Sequence, residues 1–212
     1  MNWARFYDAL ICRAPEAMYV HLLMVGISIT FAIAISIPIG IILTRPKYKK
    51  LGLAVLSVLN LFQTVPGLAI VALAMPLLGM GLKPAICALI AQGLLPIARN
   101  TIAGLHGVKE DVKDAAKGMG MSTIKVLYEV ELPLALPVIL AGVRTSCVFV
   151  VSIGTLAAYI GGGGLGDLIL IGLNMLWSEF LLVGAGLGAL LAISLDRMLS
   201  YLEYKITSAY QS

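Results

Sequence analysis

Few side chains in this sequence are of types that perform chemistry, and their spacing excludes most of the reactions they suggest. Gly161-x-Gly163-x-x-Gly166 has the spacing of a dinucleotide-binding turn. It follows an apolar helix instead of a strand that feeds a helix, so the phosphate cradle lacks its frame. Gly164-Leu-Gly166-Asp167 has the spacing of an intramembrane aspartyl protease, but that chemistry needs two carboxylates at one depth. Asp167 and Asp196 fall at opposite ends of the apolar segments. His21 and His106 are isolated, and Cys12, Cys87 and Cys147 form no CxxC, so neither a metal set nor a disulfide framework is expected. No GxxxxGKS or GxxxxGKT is present, and any step driven by ATP must therefore use a nucleotide site on another chain. No catalytic residue and no cofactor are expected in this chain.

Two other patterns point to transport and coupling. Asn60, Gln63, Thr64 and Gly67 recur at three-to-four spacing beside a Pro66 break, and Ser152, Thr155 and Tyr159 form a second polar stripe on one helix face. Polar groups within apolar helices usually face a bundle interior or cavity, and broken helices expose backbone groups that can line one. These six polar side chains are candidates for a translocation path; the bland alternative is hydrogen bonding between helices. Phe62, Phe149, Tyr159 and Trp177 could hold a quaternary ammonium through cation–π attraction, but aromatics are only 7% of the chain and no cage is evident. The second pattern is the charged stretch 108–133. Val112, Ala115, Ala116 and Met119 share a helical face, Gly120 can end that helix in the left-handed conformation, and Ser122 can cap the next, which carries Ile124 and Leu127. Leu132-Pro133 then opens the following apolar run, proline being tolerated in a first turn. Two short helices joined at a glycine are expected, with an apolar face that little chain is left to cover.

The elements that carry these groups are set by composition. Hydrophobic residues are 60%, charged residues 12% and mean hydropathy +0.99, which excludes disordered, coiled-coil and nucleic-acid-binding classes and argues against a soluble enzyme. Apolar runs long enough to cross a hydrocarbon core of about 30 Å lie at about 19–43, 51–79, 85–105, 134–160 and 178–202. The second is broken at 66–67 by Pro66-Gly67. The first is too long for a cleaved signal core and reads as a retained helix. Residues 1–17 place Trp3, Phe6, Tyr7, Leu10 and Ile11 at helical spacing, as for an amphipathic helix on the outer interface, and 206–212 form a tail. Arg45, Lys47, Lys49 and Lys50 precede span two; Arg99, Lys109, Lys113, Lys117 and Lys125 surround the 108–133 loop; Arg197 and Lys205 close the chain. Only Arg5, Arg13 and Lys83 lie on the other side, so the amino terminus is expected outside and the carboxyl terminus in the cytoplasm. Arg144, about a third of the way into span four, is expected to snorkel or form a structural pair.

The spacing Asp114-Ala115-Ala116-x-x-x-Gly120, nine residues, then Val130-x-Leu132-Pro133 resembles the EAA loop of bacterial ABC-importer permeases, with Asp for the family's Glu and Val for its Ile. Asn60-Leu-Phe-Gln63-Thr64-Val-Pro66-Gly67, Leu95-Pro96-Ile-Ala-Arg99-Asn100 and Ala157-Ala-Tyr159 through Asp167 are most similar to the osmoprotectant branch. The resemblance implies an all-α integral membrane protein of the methionine-importer-like, type I ABC-importer fold, with five spans and a cytoplasmic coupling helix. It implies a permease for glycine betaine, carnitine or choline; methionine-importer permeases are the nearest confounder, and an ion-coupled secondary transporter would need an intramembrane acid that the spans lack. Implied partners are cytoplasmic ABC ATPase subunits carrying ATP and Mg, a second permease subunit, an extracytoplasmic solute-binding protein and the bilayer, with no nucleic acid. Lys113, Asp114, Ala115, Ala116 and Gly120 would sit at or near the ATPase contact, and Val130, Leu132 and Pro133 complete the motif.

Overall fold

The structure, a computed structural model, describes residues 2–211, and the side chains of all of these except 49, 53, 207 and 209–211. Its helices are α1 (Trp3–Tyr7), α2 (Ala14–Leu43), α3 (Lys49–Thr64), α4 (Gly67–Leu78), α5 (Leu82–Gly107), α6 (Glu110–Gly118), α7 (Thr123–Val126), α8 (Leu132–Gly154), α9 (Leu165–Met175) and α10 (Ser178–Gln211). No strand occurs among the described residues. Among the described residues, four helical segments are long and apolar enough to cross a membrane, or five when the bent pair α3/α4 is counted as one span.

Prolines shape the boundaries in two opposite ways. Before Pro66 the backbone leaves the helix: Val65 is extended at ψ 130°, and α3 and α4 meet at 102°. Before Pro15 and Pro133 it stays helical but widens. Asp8–Arg13 and Leu127–Glu131 are π-helical, with Ala14 N–H bonded to Ala9 O and Leu132 N–H to Leu127 O. A proline lacks the N–H for the carbonyl four residues back, and its ring crowds that carbonyl; one wider turn relieves both. Helical conformation therefore runs unbroken from Trp3 to Leu43 and from Thr123 to Ile160.

This revises two boundaries. Residues 3–17 are helical and run without a break into α2, so no boundary falls at residue 17. This segment packs on the far end of the bundle: Ala9 and Ala14 share a core cluster with Leu165, Leu168, Phe180 and Val183, and the Arg5 guanidinium lies 4.5 Å from the Trp177 ring centroid. Asn2 N–H donates to the Glu179 carboxylate. The fourth span likewise has no break at residue 134. At the other terminus α10 runs through the 206–212 tail to Gln211; Met1 and Ser212 lie outside the described residues.

The core is built by α5 lying between α2 and α8, with Met24, Leu89, Ile97, Val150 and Val151 almost fully buried. Small residues let the backbones approach, and serines bond carbonyls of the neighbouring helix: Ser36 Oγ donates to Leu94 O at 3.0 Å and Ser146 Oγ to Gly93 O at 2.9 Å. The α10 helix packs on α8 and α9. By contrast, α3 touches the bundle mainly at Leu59, and an apolar hollow of about 460 Å³ opens between α3, α4 and α5.

Candidate functional site

The 108–133 stretch forms an elbow. Ser122 caps α7 by accepting the Lys125 N–H at 3.4 Å, and Gly120, at φ +84°, turns the chain between α6 and α7. The local order follows from charge: Glu110 and Asp111 occupy the first turn of α6 and Lys117 its last, matching the helix dipole. Lys113 Nζ pairs with Glu110 Oε1, and Lys117 Nζ with Asp114 Oδ1, each at 3.0 Å. Asp114 holds the Lys117 ammonium above its ordinary pKa.

The elbow presents Val112, Met119, Ile124 and Tyr128 outward, with Met119 and Ile124 at least 70% exposed. Asp114, Ala115 and Gly120 are exposed, whereas Ala116 is 2% exposed and turned into the chain. The two adjacent alanines therefore part company: Ala115 faces out and Ala116 seats the helix. Leu132 and Leu127 pack against Leu105, Val108, Ala135 and Ile139, and Val130 and Pro133 are half-buried at the elbow's root. Arg45, from the turn after α2, makes a bidentate ion pair with Glu131, whose side chain is 8% exposed. The pair borders a cavity of about 600 Å³ between that turn, the end of α5 and the elbow.

The two polar stripes meet in part. A Cβ on Gly67 would lie 3.3 Å from Ile153, so the α3/α4 break abuts the end of α8. Asn60 and Gln63 are half-buried on α3, and Gln63 Nε2 has no hydrogen-bond partner among the described residues. The Thr64 hydroxyl is exposed and donates to Leu61 O at 2.9 Å. Thr155 Oγ1 donates to Ser152 O at 2.8 Å. Tyr159 departs from the expected stripe because Thr155–Ile160 is wound as a 3₁₀-helix. At 3.0 residues per turn, Tyr159 stands about 120° from Thr155, where α-winding would leave about 40°. It remains 49% exposed.

Arg144 is a structural pair: its Nε lies 2.7 Å from Asp196 Oδ1 and its Nη1 3.2 Å from Glu203 Oε2, tying α8 to α10. Neither this pairing nor Arg45–Glu131 was readable from local sequence, because Arg144 and Glu203 are 59 residues apart and Arg45 and Glu131 are 86 apart. The one available signal was the cost of a charge within or beside an apolar run, which demands a partner without naming it.

A helical bundle whose long apolar segments can cross a membrane, with a charged helical elbow at one end, is the architecture of an integral membrane protein. Residues 36–208 match the family described as binding-protein-dependent transport system inner membrane component, and the chain belongs to that family. It is 44% identical over 191 residues to the choline transport system permease protein OpuBB of Bacillus subtilis, covering 90% of this chain and 87% of that protein. It is 43% identical over 198 residues to the glycine betaine/carnitine/choline transport system permease protein OpuCB of the same organism, covering 93% and 88%. To the osmoprotectant import permease protein OsmY of Salmonella typhimurium it is 38% identical, covering 97% and 88%. Among solved structures, the fold is shared with a chain of the MetNI methionine ABC transporter in an inward-facing conformation, at TM-score 0.78 and 21% identity, covering 89% of this chain and 93% of that one.

Proposed function

We propose that this chain forms half of the membrane pathway of an ATP-driven importer for a small compatible solute of the glycine betaine, carnitine and choline class. The observation that carries the solute class is the 44% identity with a choline permease over 90% of the chain. The methionine alternative has only a shared fold at 21% identity in its favour.

In this reading the amino terminus is outside and the elbow and carboxyl terminus are cytoplasmic, in keeping with the basic residues around the elbow. The partners are an ATPase pair that binds ATP and Mg²⁺, a second permease of the same or a related sequence, and an extracytoplasmic solute-binding protein. The ATPase receives the outward face of the elbow, with Lys113, Asp114, Ala115 and Gly120 at or beside the contact; Ala116, Val130, Leu132 and Pro133 seat it. ATP-driven closure of the ATPases pushes the two elbows, tilts the permease pair and opens the pathway outward to accept solute from the binding protein; hydrolysis restores the inward state. Asn60, Gln63, Thr64, Ser152, Thr155 and Tyr159 line the pathway, and the unpartnered Gln63 amide is the donor in that set most in need of a ligand.

The test is uptake of labelled glycine betaine, choline, carnitine and methionine into proteoliposomes holding the co-purified complex, its binding protein and internal ATP. Saturable uptake of at least one of the first three, abolished by omitting ATP, is expected. Uptake of methionine alone would overturn the solute class, and recovery of the chain with no ATPase would overturn the importer reading.

A further inference from the structure

The 3₁₀ winding of Thr155–Ile160 runs for 6 residues, longer than the turn usual at a helix end, and within Thr-Leu-Ala-Ala-Tyr-Ile the local feature that favours it is the Thr155 hydroxyl, which donates to Ser152 O at 2.8 Å. At the junction, Thr155 N–H turns to Ser152 O, three residues back. The carbonyl that an α-helix would give it, Val151 O, instead lies 3.2 Å from His21 Nε2. A carbonyl only accepts, so Nε2 carries the proton and donates. His21 comes from α2 and is 0% exposed. Its ring occupies a slot between two glycines: a Cβ on Gly154 would stand 3.1 Å from Cε1, and one on Gly164 would stand 3.0 Å from Nδ1. Nδ1 has no hydrogen-bond partner among the described residues, so the ring has a single polar bond to them. An apolar side chain of similar size would fill the slot as well; only the Nε2–H bond requires histidine.

We propose that His21 is a positioning residue for transport: by holding Val151 O it substitutes for the α-helical donor, keeps Thr155–Ile160 in 3₁₀ winding and so fixes the direction in which Tyr159 is presented. The far end of the segment is held separately, by Gly161 N–H on Ala158 O and Gly162 N–H on Ala157 O, a glycine cap, and by Gly81 N–H on Ile160 O at 2.7 Å. If the near end reverted to α-winding, Tyr159 would swing by about 80° and shift along the axis by about 2 Å. The inference rests on the reading of Tyr159 as a pathway residue for its consequence in transport, but not for the role of His21 in the winding.

The test compares His21→Met, which fills the slot without a donor, with His21→Gln, whose amide N–H reaches the position of Nε2. Both are made in the full complex, with Tyr159→Cys in a background where Cys12, Cys87 and Cys147 are replaced by alanine. The first measurement is amide hydrogen exchange of peptides covering 152–162. The second is the rate at which the charged reagent sulfonatoethyl methanethiosulfonate labels the thiol introduced at position 159. His21→Met is expected to change the exchange of these peptides and to change the labelling rate by about tenfold, the equivalent of one net hydrogen bond, and His21→Gln to restore both. A Gly154→Ala variant, which crowds the ring without removing it, is expected to act in the same direction and decides the matter if His21→Met does not assemble. Unchanged exchange in both His21→Met and Gly154→Ala would overturn the proposal, as would failure of His21→Gln to restore it. Changed exchange with an introduced thiol that the charged reagent never reaches would leave the role of His21 in the winding intact and overturn the pathway reading instead.

Discussion

Removing Arg45 should uncouple the elbow from the bundle before it unfolds the bundle. Glu131 lies at the elbow's root with its side chain 8% exposed, and both its oxygens are engaged by Arg45, whose own side chain is 28% exposed. A fully buried pair deprived of one partner costs about 3–5 kcal/mol. An exposed pair is worth about 0.2–1 kcal/mol. One deeply buried carboxylate facing a partly solvated guanidinium falls between these limits, at about 2 kcal/mol of coupling. The assay is a double-mutant cycle with Arg45→Gln, Glu131→Gln and the double variant, read by denaturation in mixed micelles. The double variant should lose less stability than the two single variants' losses added together, because it leaves no charge stranded. In reconstituted complexes the single variants should hydrolyse ATP with less uptake per ATP than the parent. Coupling below about 0.5 kcal/mol, the range within which independent sites add, would refute the reasoning.

Three further outcomes follow from geometry already described. Gly166→Ala should prevent assembly, since a Cβ there would overlap the Thr155 carbonyl and both groups are backbone-fixed; normal membrane yield would contradict this. Gly120→Ala should cost about 1 kcal/mol through the left-handed conformation, with Gly120→Asn milder, as measured by thermal unfolding of the two variants side by side. Asp167, in the α9 segment outside the spans, has its pKa raised by burial. Its folded pKa exceeds the unfolded one, so its contribution to stability is complete below the unfolded value and is lost as pH rises through the folded value. Asp167→Asn should therefore gain stability relative to the parent at neutral pH and lose that advantage in acid, below the ordinary carboxylate range, and pH-dependent melting of the two proteins checks the sign.

The parts of the fold legible in the sequence were those fixed by neighbouring residues. Pro66-Gly67 announced the broken span because an extended residue before proline is a local constraint, and Gly120 followed by Ser122 announced the elbow because a left-handed turn and a cap are local too. Prolines were less transparent at 15 and 133, where tertiary packing kept the helix going through a wider turn; the same residue type ends one helix and only loosens another. Polar stripes were read with α-periodicity, and that periodicity ends at Thr155, where the tighter winding turns Tyr159 to a different direction. The period changes at Thr155, beside a carbonyl held by a side chain 130 residues earlier in the chain. Ala115 and Ala116 were read as sharing one helical face with Val112 and Met119, yet a helix turns about 100° between adjacent residues, and here Ala115 stands outside and Ala116 inside.

The continuous helix from Thr123 to Ile160 has a mechanical meaning. Its 38 residues extend for about 57 Å, more than the thickness of a whole bilayer. The elbow and the stripe holding Ser152 are thus two ends of a single beam, with no loop between them to absorb a displacement. Its softest place is the π-turn at Leu127–Glu131, which is also where Arg45 clamps it. A thrust on Ile124 either bends the beam at that clamp or travels its whole length, and the stiffness of one ion pair decides the share of each.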